Sequence, residues 1–232
     1  MSKDNKKKII LNTSYHDNKD ITEIGLDEVG RGPMFGRVYT AAVILPDSNS
    51  NFDFSLMKDS KRFHSVKKIK EVAQYIKDNC IRYSITWKDE KFIDVNNIRI
   101  ATLKAMHEAI GNVIDDNTKN YFLLVDGKDF IPYNIIDNNS MLKSIDYKCI
   151  EGGDNKYCSI AAASILAKVA RDDYIDNLCQ NNPKLDKYYE LKKNKGYGTK
   201  NHLQGINDYG VTIWHRKSFG ICATTFENNE FI

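Results

Sequence analysis

Two adjacent carboxylates, Asp27 and Glu28, close the short apolar run Ile24-Gly25-Leu26. One valine later comes a turn with three glycines and one arginine, Gly30-Arg31-Gly32-Pro33-Met34-Phe35-Gly36. Two acids at the end of a buried strand repel each other and are costly to desolvate. A divalent cation is the usual group that offsets both effects. The bare N–H groups of the turn and the Arg31 guanidinium suit a phosphate or a sugar hydroxyl. A metal beside a phosphate suggests phosphodiester chemistry. Hydrolysis through two metal ions takes three or four carboxylates converging from separate strands. The ions then lie about 3.5–4 Å apart, one activating water and one stabilising the leaving oxygen. Two further acids stand in suitable places. Asp126 ends the apolar run Tyr121-Phe122-Leu123-Leu124-Val125, and Asp154 follows the glycine pair Gly152-Gly153. Asp126-Gly127 also reads as an ordinary turn. Asp129 is another possible ligand, although its spacing from Asp126 better fits a residue lining the loop. Asp172 and Asp173 have neither a glycine turn nor a strand beside them and read as surface or ion-pair residues.

The elements that position these acids follow from periodicity. Residues 21–28 and 37–45 read as strands joined through the glycine turn. Ser65 caps a helix with Val66, Ile69, Val72, Ala73 and Ile76 at helical spacing. Residues 80–87 alternate as a third strand. A second helix spans 94–114, with Ile98, Leu103, Met106 and Ile110 inward. The continuous apolar run 121–125 is a buried parallel strand, and 145–150 is another strand. A long helix covers 159–177, its first half small or apolar and therefore buried. Ser164 and Lys168 lie one turn apart on it and share a face; helix packing is the preferred reading for Ser164. Residues 183–200 are basic and irregular, and 201–209 form a short helix. Strands first, then alternating helix and strand, give an α/β fold with a mixed central sheet.

The chain of 232 residues fits one domain of ordinary size; 41% of it is hydrophobic and 28% charged. Net charge is only +3, so any basic character is local. Lysines cluster over residues 3–8, 58–70 and 184–200, as a solvated surface or as phosphate contacts. Five scattered cysteines without a C-x-x-C argue against a disulfide framework or a zinc site and for a reducing, cytoplasmic compartment. No apolar run is long enough to span a bilayer, and no h-region follows the basic N-terminus. Residues 1–20, rich in Lys, Asn and Asp, read as a flexible tail, leaving 21–232 as a single domain.

Asp27-Glu28-Val29-Gly30-Arg31-Gly32-Pro33 after an apolar strand resembles the signature of ribonuclease HII, the type 2 ribonuclease H family. The resemblance runs from about residue 24 to 219. It includes Asp59-Ser60-Lys61, Val125-Asp126-Gly127, Gly153-Asp154, the stretch Ala162-Ala163-Ser164-Ile165-Leu166-Ala167-Lys168-Val169, and Lys195-Gly196-Tyr197-Gly198-Thr199. It implies a ribonuclease H-like fold with a helical C-terminal part. It also implies Asp27, Glu28, Asp126 and Asp154 as catalytic ligands of two Mg²⁺ or Mn²⁺ ions. The expected substrates are RNA–DNA hybrids and duplex DNA carrying ribonucleotides. By the same resemblance Gly30, Arg31 and Gly32 grip the strand around a ribonucleotide and read its 2′-hydroxyl, the group that separates RNA from DNA. Tyr197 stacks on the neighbouring deoxyribose and hydrogen-bonds the 2′-hydroxyl. Ser60 and Lys61 match an element that can bind phosphate, and Ser164 and Lys168 join the substrate-contact set. Arg216, in a segment similar to the family's His-Arg-x-Ser-Phe, has either a structural role or a substrate contact. The expected assembly is a monomer, and the C-terminus shows no sliding-clamp motif.

The sequence departs from the family in places. Arg37 replaces a usual proline, Phe63 a usual leucine, and Glu151 a usual basic residue, which adds negative charge near Asp154. Phe35-Gly36 is similar to the sister type HIII, which usually lacks Arg31 in its turn and carries an extra N-terminal domain. Three rival readings stand beside this one. Gly30-x-Gly32-x-x-x-Gly36 resembles a loose dinucleotide-binding fingerprint, which must open a helix, whereas residues 37–45 are β-rich. The others are a nucleic-acid-binding protein without activity, and another two-metal nuclease of the same fold, such as a resolvase.

Overall fold

The computed structural model describes residues 10–115, 119–136 and 140–231. In chain order its main elements are Ile21–Val29 (β1), Val38–Ile44 (β2), Val66–Asn79 (α1), Arg82–Lys88 (β3), Glu90–Val113 (α2) and Asn120–Asp126 (β4). The hairpin Asn134–Ile136 (β5) and Leu142–Ser144 (β6) follows, then Asp146–Ile150 (β7) and Cys158–Asn181 (α3). Three short helices complete the C-terminal part: Pro183–Tyr189 (α4), Leu191–Asn194 (α5) and Lys200–Tyr209 (α6).

The main sheet has the order β3-β2-β1-β4-β7. Strands β1, β2 and β3 form an antiparallel meander, and β1-β4-β7 run parallel. All seven residues of β2 are buried, because helices cover both faces. Ala41 and Val43 pack with α1 and α3, and their neighbours Ala42 and Ile44 pack with α2. A strand covered on both sides tolerates no charge, hence the uncharged run VYTAAVI. Helix α3 lies unusually close to β1. A Cβ at Gly25 would sit 2.2 Å from the Ser159 carbonyl carbon, so only glycine fits. Ala161, Ala162 and Ala163 let the helix settle against the sheet. This contact places Ser164 beside Asp27 near the end of β1.

Most elements fall where periodicity puts them, and the departures have local causes. Helix α2 starts early because Asp89 caps it, its side chain accepting the Phe92 N–H at 2.8 Å. The helix breaks at Asn97, which has φ 64° and whose side chain accepts the Ile100 N–H at 3.1 Å. The stretch 183–200, expected to be irregular, contains α4 and α5, with Pro183 opening the first. Leu185, Tyr189 and Leu191 anchor both in an apolar cluster with Phe35 and Ile206. The expected tail is corrected in part. Residues 1–9, with the first lysine cluster, lie outside the described residues. From Leu11 the chain is docked: Asn12 bridges to Tyr157, Tyr15 stacks on Phe122 at 5.5 Å, and Glu23 accepts the N–H groups of Tyr15 and His16.

Candidate active site

Strand register brings the first acids together. In the parallel pair β1–β4, Leu26 lies opposite Val125, so Asp27 and Asp126 occupy the next positions of adjacent strands, which run about 4.8 Å apart. Strand alternation fixes their direction. Leu26 and Val125 pack towards α2, and Asp27 and Asp126 therefore point the other way, towards α3. Glu28 points back to the α2 side. Beyond β7, Gly152 adopts φ 61° and opens a single 3-10 turn, Gly153–Asn155, that carries Asp154. Asp126 Oδ1 accepts the Gly153 N–H at 2.6 Å, which ties the Asp154 turn to β4. Sheet and turn thus bring all four acids expected as ligands into one neighbourhood.

The price of this convergence is electrostatic. Burial, then the like charges of Glu28 and Asp126, hold the Asp27 carboxyl well above its ordinary range. The Ser164 hydroxyl and the Glu28 N–H, the latter 2.7 Å from Oδ1, oppose the shift. Burial also raises Glu28, against the Arg31 guanidinium at 3.2 Å. Asp154 is raised by burial and by the charges of Asp59 and Asp126. Asn155 Nδ2 lies 3.1 Å from both Asp59 and Asp154 and donates between them. Among the described residues no three carboxylate, imidazole or thiol groups are drawn close enough to cage an ion. The donor chemistry nevertheless fits a hard divalent cation, since the cluster offers only carboxylate oxygens whose mutual repulsion such a cation relieves.

The expected substrate residues divide into two groups. Gly30, Arg31, Gly32 and Tyr197 lie together: the Tyr197 ring comes within 3.6 Å of where a Gly32 Cβ would be, and Tyr197 is half exposed. Lys61 is exposed and near enough to Asp154 to lower it. Ser60 and Ser164 are buried instead, their hydroxyls 3.0 Å apart. A carboxylate only accepts, so Ser164 donates to Asp27 and Ser60 to Ser164. These hydroxyls steady Asp27 rather than face solvent. Lys168 is half-buried and paired with Asp172 at 2.6 Å. Asp173 pairs with Lys70, also at 2.6 Å, so both helix acids are ion-pair residues, as their setting suggests. Asp129 is held by Arg99 at 2.5 and 2.8 Å. Glu151, the added charge near Asp154, is taken up by Lys128 at 3.0 Å.

Three supports escape a reading of spacing alone. Arg171 of α3 is buried and donates to the carbonyls of Phe35, Arg37 and Lys195 at 3.1, 3.2 and 2.9 Å. It ties the loop bearing Tyr197 to the glycine turn. Its side chain also fills the space a Gly30 Cβ would need, only 2.3 Å from Arg171 Nε, and Gly30 has φ 96°. Arg216 is buried and donates to the carbonyls of Gly30, Arg31 and Gly36 at 2.6, 3.0 and 2.8 Å. His202 Nδ1 lies 2.9 Å from the Tyr197 carbonyl, and its Nε2 lies 3.2 Å from His215 Nε2. The only advance sign was the His215-Arg216 pair in the sequence. The glycine turn leads directly into β2, not a helix, which removes the dinucleotide-binding reading.

The Ribonuclease HII family model matches residues 24–222. The Bacteroides thetaiotaomicron ribonuclease HII is 38% identical over 204 residues, covering 88% of this chain and 92% of that protein. The Christiangramia forsetii ribonuclease HII is 41% identical over 202 residues, covering 87% and 92%. The crystal structure of the ribonuclease H2 from Pyrococcus horikoshii OT3 aligns with a TM-score of 0.66 at 21% identity, covering 87% of this chain and 95% of that one. That likeness speaks for the fold, and the sequence relatives speak for the family. With 199 matched positions and relatives near 40% identity along most of their length, this chain belongs to the ribonuclease HII family, enzymes of the ribonuclease H kind.

Proposed function

We propose that this protein is an endonuclease that hydrolyses the RNA strand of RNA–DNA hybrids and cuts on the 5′ side of single ribonucleotides in duplex DNA. What supports the reading is that Asp27 and Asp126 end adjacent strands, with Glu28 following Asp27 and the Asp154 turn tied to Asp126, near the Gly30–Gly32 turn on which Tyr197 lies. The four carboxylates would hold two divalent ions, Mg²⁺ or Mn²⁺, which when bound supply an activated water and charge neutralisation at the leaving oxygen. The chain's own part is placement. Ser60 and Ser164 fix Asp27, and Gly153 fixes Asp126. Exposed N–H groups of the turn lie beside the acids for the ribose, and Tyr197 offers an aromatic face to the neighbouring sugar. Lys61 stands near Asp154 for phosphate.

In the cell this activity would serve ribonucleotide removal from DNA and primer removal during replication. The five cysteines are unpaired, which supports a reducing, cytoplasmic setting. Among the described residues no helix is long and apolar enough to cross a membrane. The test is incubation with a DNA duplex holding one ribonucleotide, with and without Mg²⁺ or Mn²⁺. The expected result is metal-dependent cleavage 5′ of the ribonucleotide, leaving a 3′-hydroxyl and a 5′-phosphate. A 2′,3′-cyclic phosphate would mean that the ribose hydroxyl is the nucleophile and would overturn the reading.

A further inference from the structure

Arg216 is buried, and among the described residues no carboxylate forms an ion pair with it. Its Nη2, Nη1 and Nε groups all go to main-chain carbonyls of one turn, those of Gly30, Arg31 and Gly36. A guanidinium could satisfy its charge more simply with an acid, as Arg99 does with Asp129. Its placement therefore calls for another explanation, and peptide geometry supplies one. A trans peptide is planar, with its C=O and N–H pointing opposite ways, and no cis bond is present in the described chain. The carbonyl of Gly30 shares its peptide with the N–H of Arg31, and the carbonyl of Arg31 shares its peptide with the N–H of Gly32. Drawing these two carbonyls inward turns those two N–H groups outward. Both residues are exposed, and among the described residues neither N–H meets an acceptor. The Tyr197 ring stands beside the same turn, within 3.6 Å of where a Gly32 Cβ would be.

We propose that Arg216 is a positioning residue for ribose recognition: by gripping the carbonyls of Gly30 and Arg31 it aims the N–H groups of Arg31 and Gly32 at the 2′-hydroxyl side of the bound strand. Arg216 itself does not touch substrate. The inference rests on the ribonucleotide-cleaving function proposed above and adds the origin of its selectivity. A second link locks the same surface. The Met34 carbonyl accepts the Arg216 N–H at 2.8 Å, and the Met34 N–H donates to the Gly196 carbonyl at 2.9 Å. Arg216 therefore joins the glycine turn to the loop of Tyr197 through both its side chain and its backbone.

The test compares wild type with Arg216→Lys and Arg216→Gln in Mg²⁺. Lysine keeps the charge but cannot span three carbonyls, and glutamine keeps one amide donor. Two quantities are measured: kcat/KM on a DNA duplex with one ribonucleotide, and the inhibition constant of the same duplex made wholly of DNA. Thermal melting checks the fold of each variant. In both variants kcat/KM should fall about tenfold, the scale of one or two lost hydrogen bonds, while all-DNA inhibition stays unchanged. Three results would overturn the inference: an unchanged kcat/KM in a folded variant, a parallel loss of all-DNA binding, or failure of both variants to fold, which would make Arg216 a residue of the fold alone. A wild type that does not cut the ribonucleotide duplex would instead sink the functional reading first, so the two failures are distinct.

Discussion

Asp27 shows how this chain trades stability for chemistry at a single residue. It is buried beside two like charges, and its carboxyl is raised for that reason. An acid whose folded pKa lies above its unfolded value costs stability once pH exceeds the unfolded value, which for aspartate is ordinarily 3.8. At neutral pH and without divalent ions, Asp27 therefore destabilises the fold. Asp27→Asn should abolish cleavage and, in EDTA, raise the melting temperature, by about 2–4 °C for each kcal/mol relieved in a chain of this size. Asparagine keeps one oxygen to accept the Glu28 N–H, and its amide can still bond the Ser164 hydroxyl. A lower melting temperature in EDTA would mean that Asp27 holds the fold together and that its burial is not a cost borne for function.

At the scale of elements, the site was legible where the signal is local and hidden where it is tertiary. Asp27 and Asp126 announce themselves as acids at the ends of apolar runs, and register then sets them side by side. Asp154 follows a glycine pair that a reader of turns can find. The burial of Ser60 and Ser164 is not visible in spacing, because it depends on how closely α3 approaches β1 over Gly25. Helices α4 and α5 escape because basic residues mask three anchors, Leu185, Tyr189 and Leu191, whose partners lie far along the chain. The support of Tyr197 is hidden for the same reason. The Thr212 N–H donates to His215 Nδ1 at 2.9 Å, so His215 carries its proton on Nε2 and offers it to His202 Nε2. His202 then holds its proton on Nδ1 and donates to the Tyr197 carbonyl. The relay works only with both rings neutral, and burial lowers both. Below pH 6.5, the ordinary histidine value, the unfolded chain takes up protons that the folded relay refuses, so stability falls with pH. His215→Gln should cost about 1–3 kcal/mol near pH 7.5 for the bonds it disrupts. The gap to wild type should narrow at pH 5.5, since wild type must keep one more ring neutral. Melting curves at the two pH values measure it, and a constant gap would rule out the neutral pair.

For the whole molecule, the opposed tendencies of these groups make stability a readout of ion binding. The net charge is only +3, so the overall field neither repels nor gathers cations strongly, and any specific ion effect must come from the carboxylate cluster. A ligand that binds only the folded chain stabilises it by about 2.7 kcal/mol at a hundredfold excess over Kd, or about 5–10 °C here. Metal-binding carboxylates must be ionised, so protons compete with the ion. Asp27, Glu28 and Asp154 are all raised, which brings that competition to higher pH than ordinary acids would show. The rise in melting temperature on adding Mg²⁺ or Mn²⁺ should therefore be large at pH 8 and shrink steadily towards pH 5. It should be much smaller at both pH values in Asp27→Asn. An increment independent of pH, or one that survives in Asp27→Asn, would place the ion away from these four acids and remove the basis of the two-ion reading.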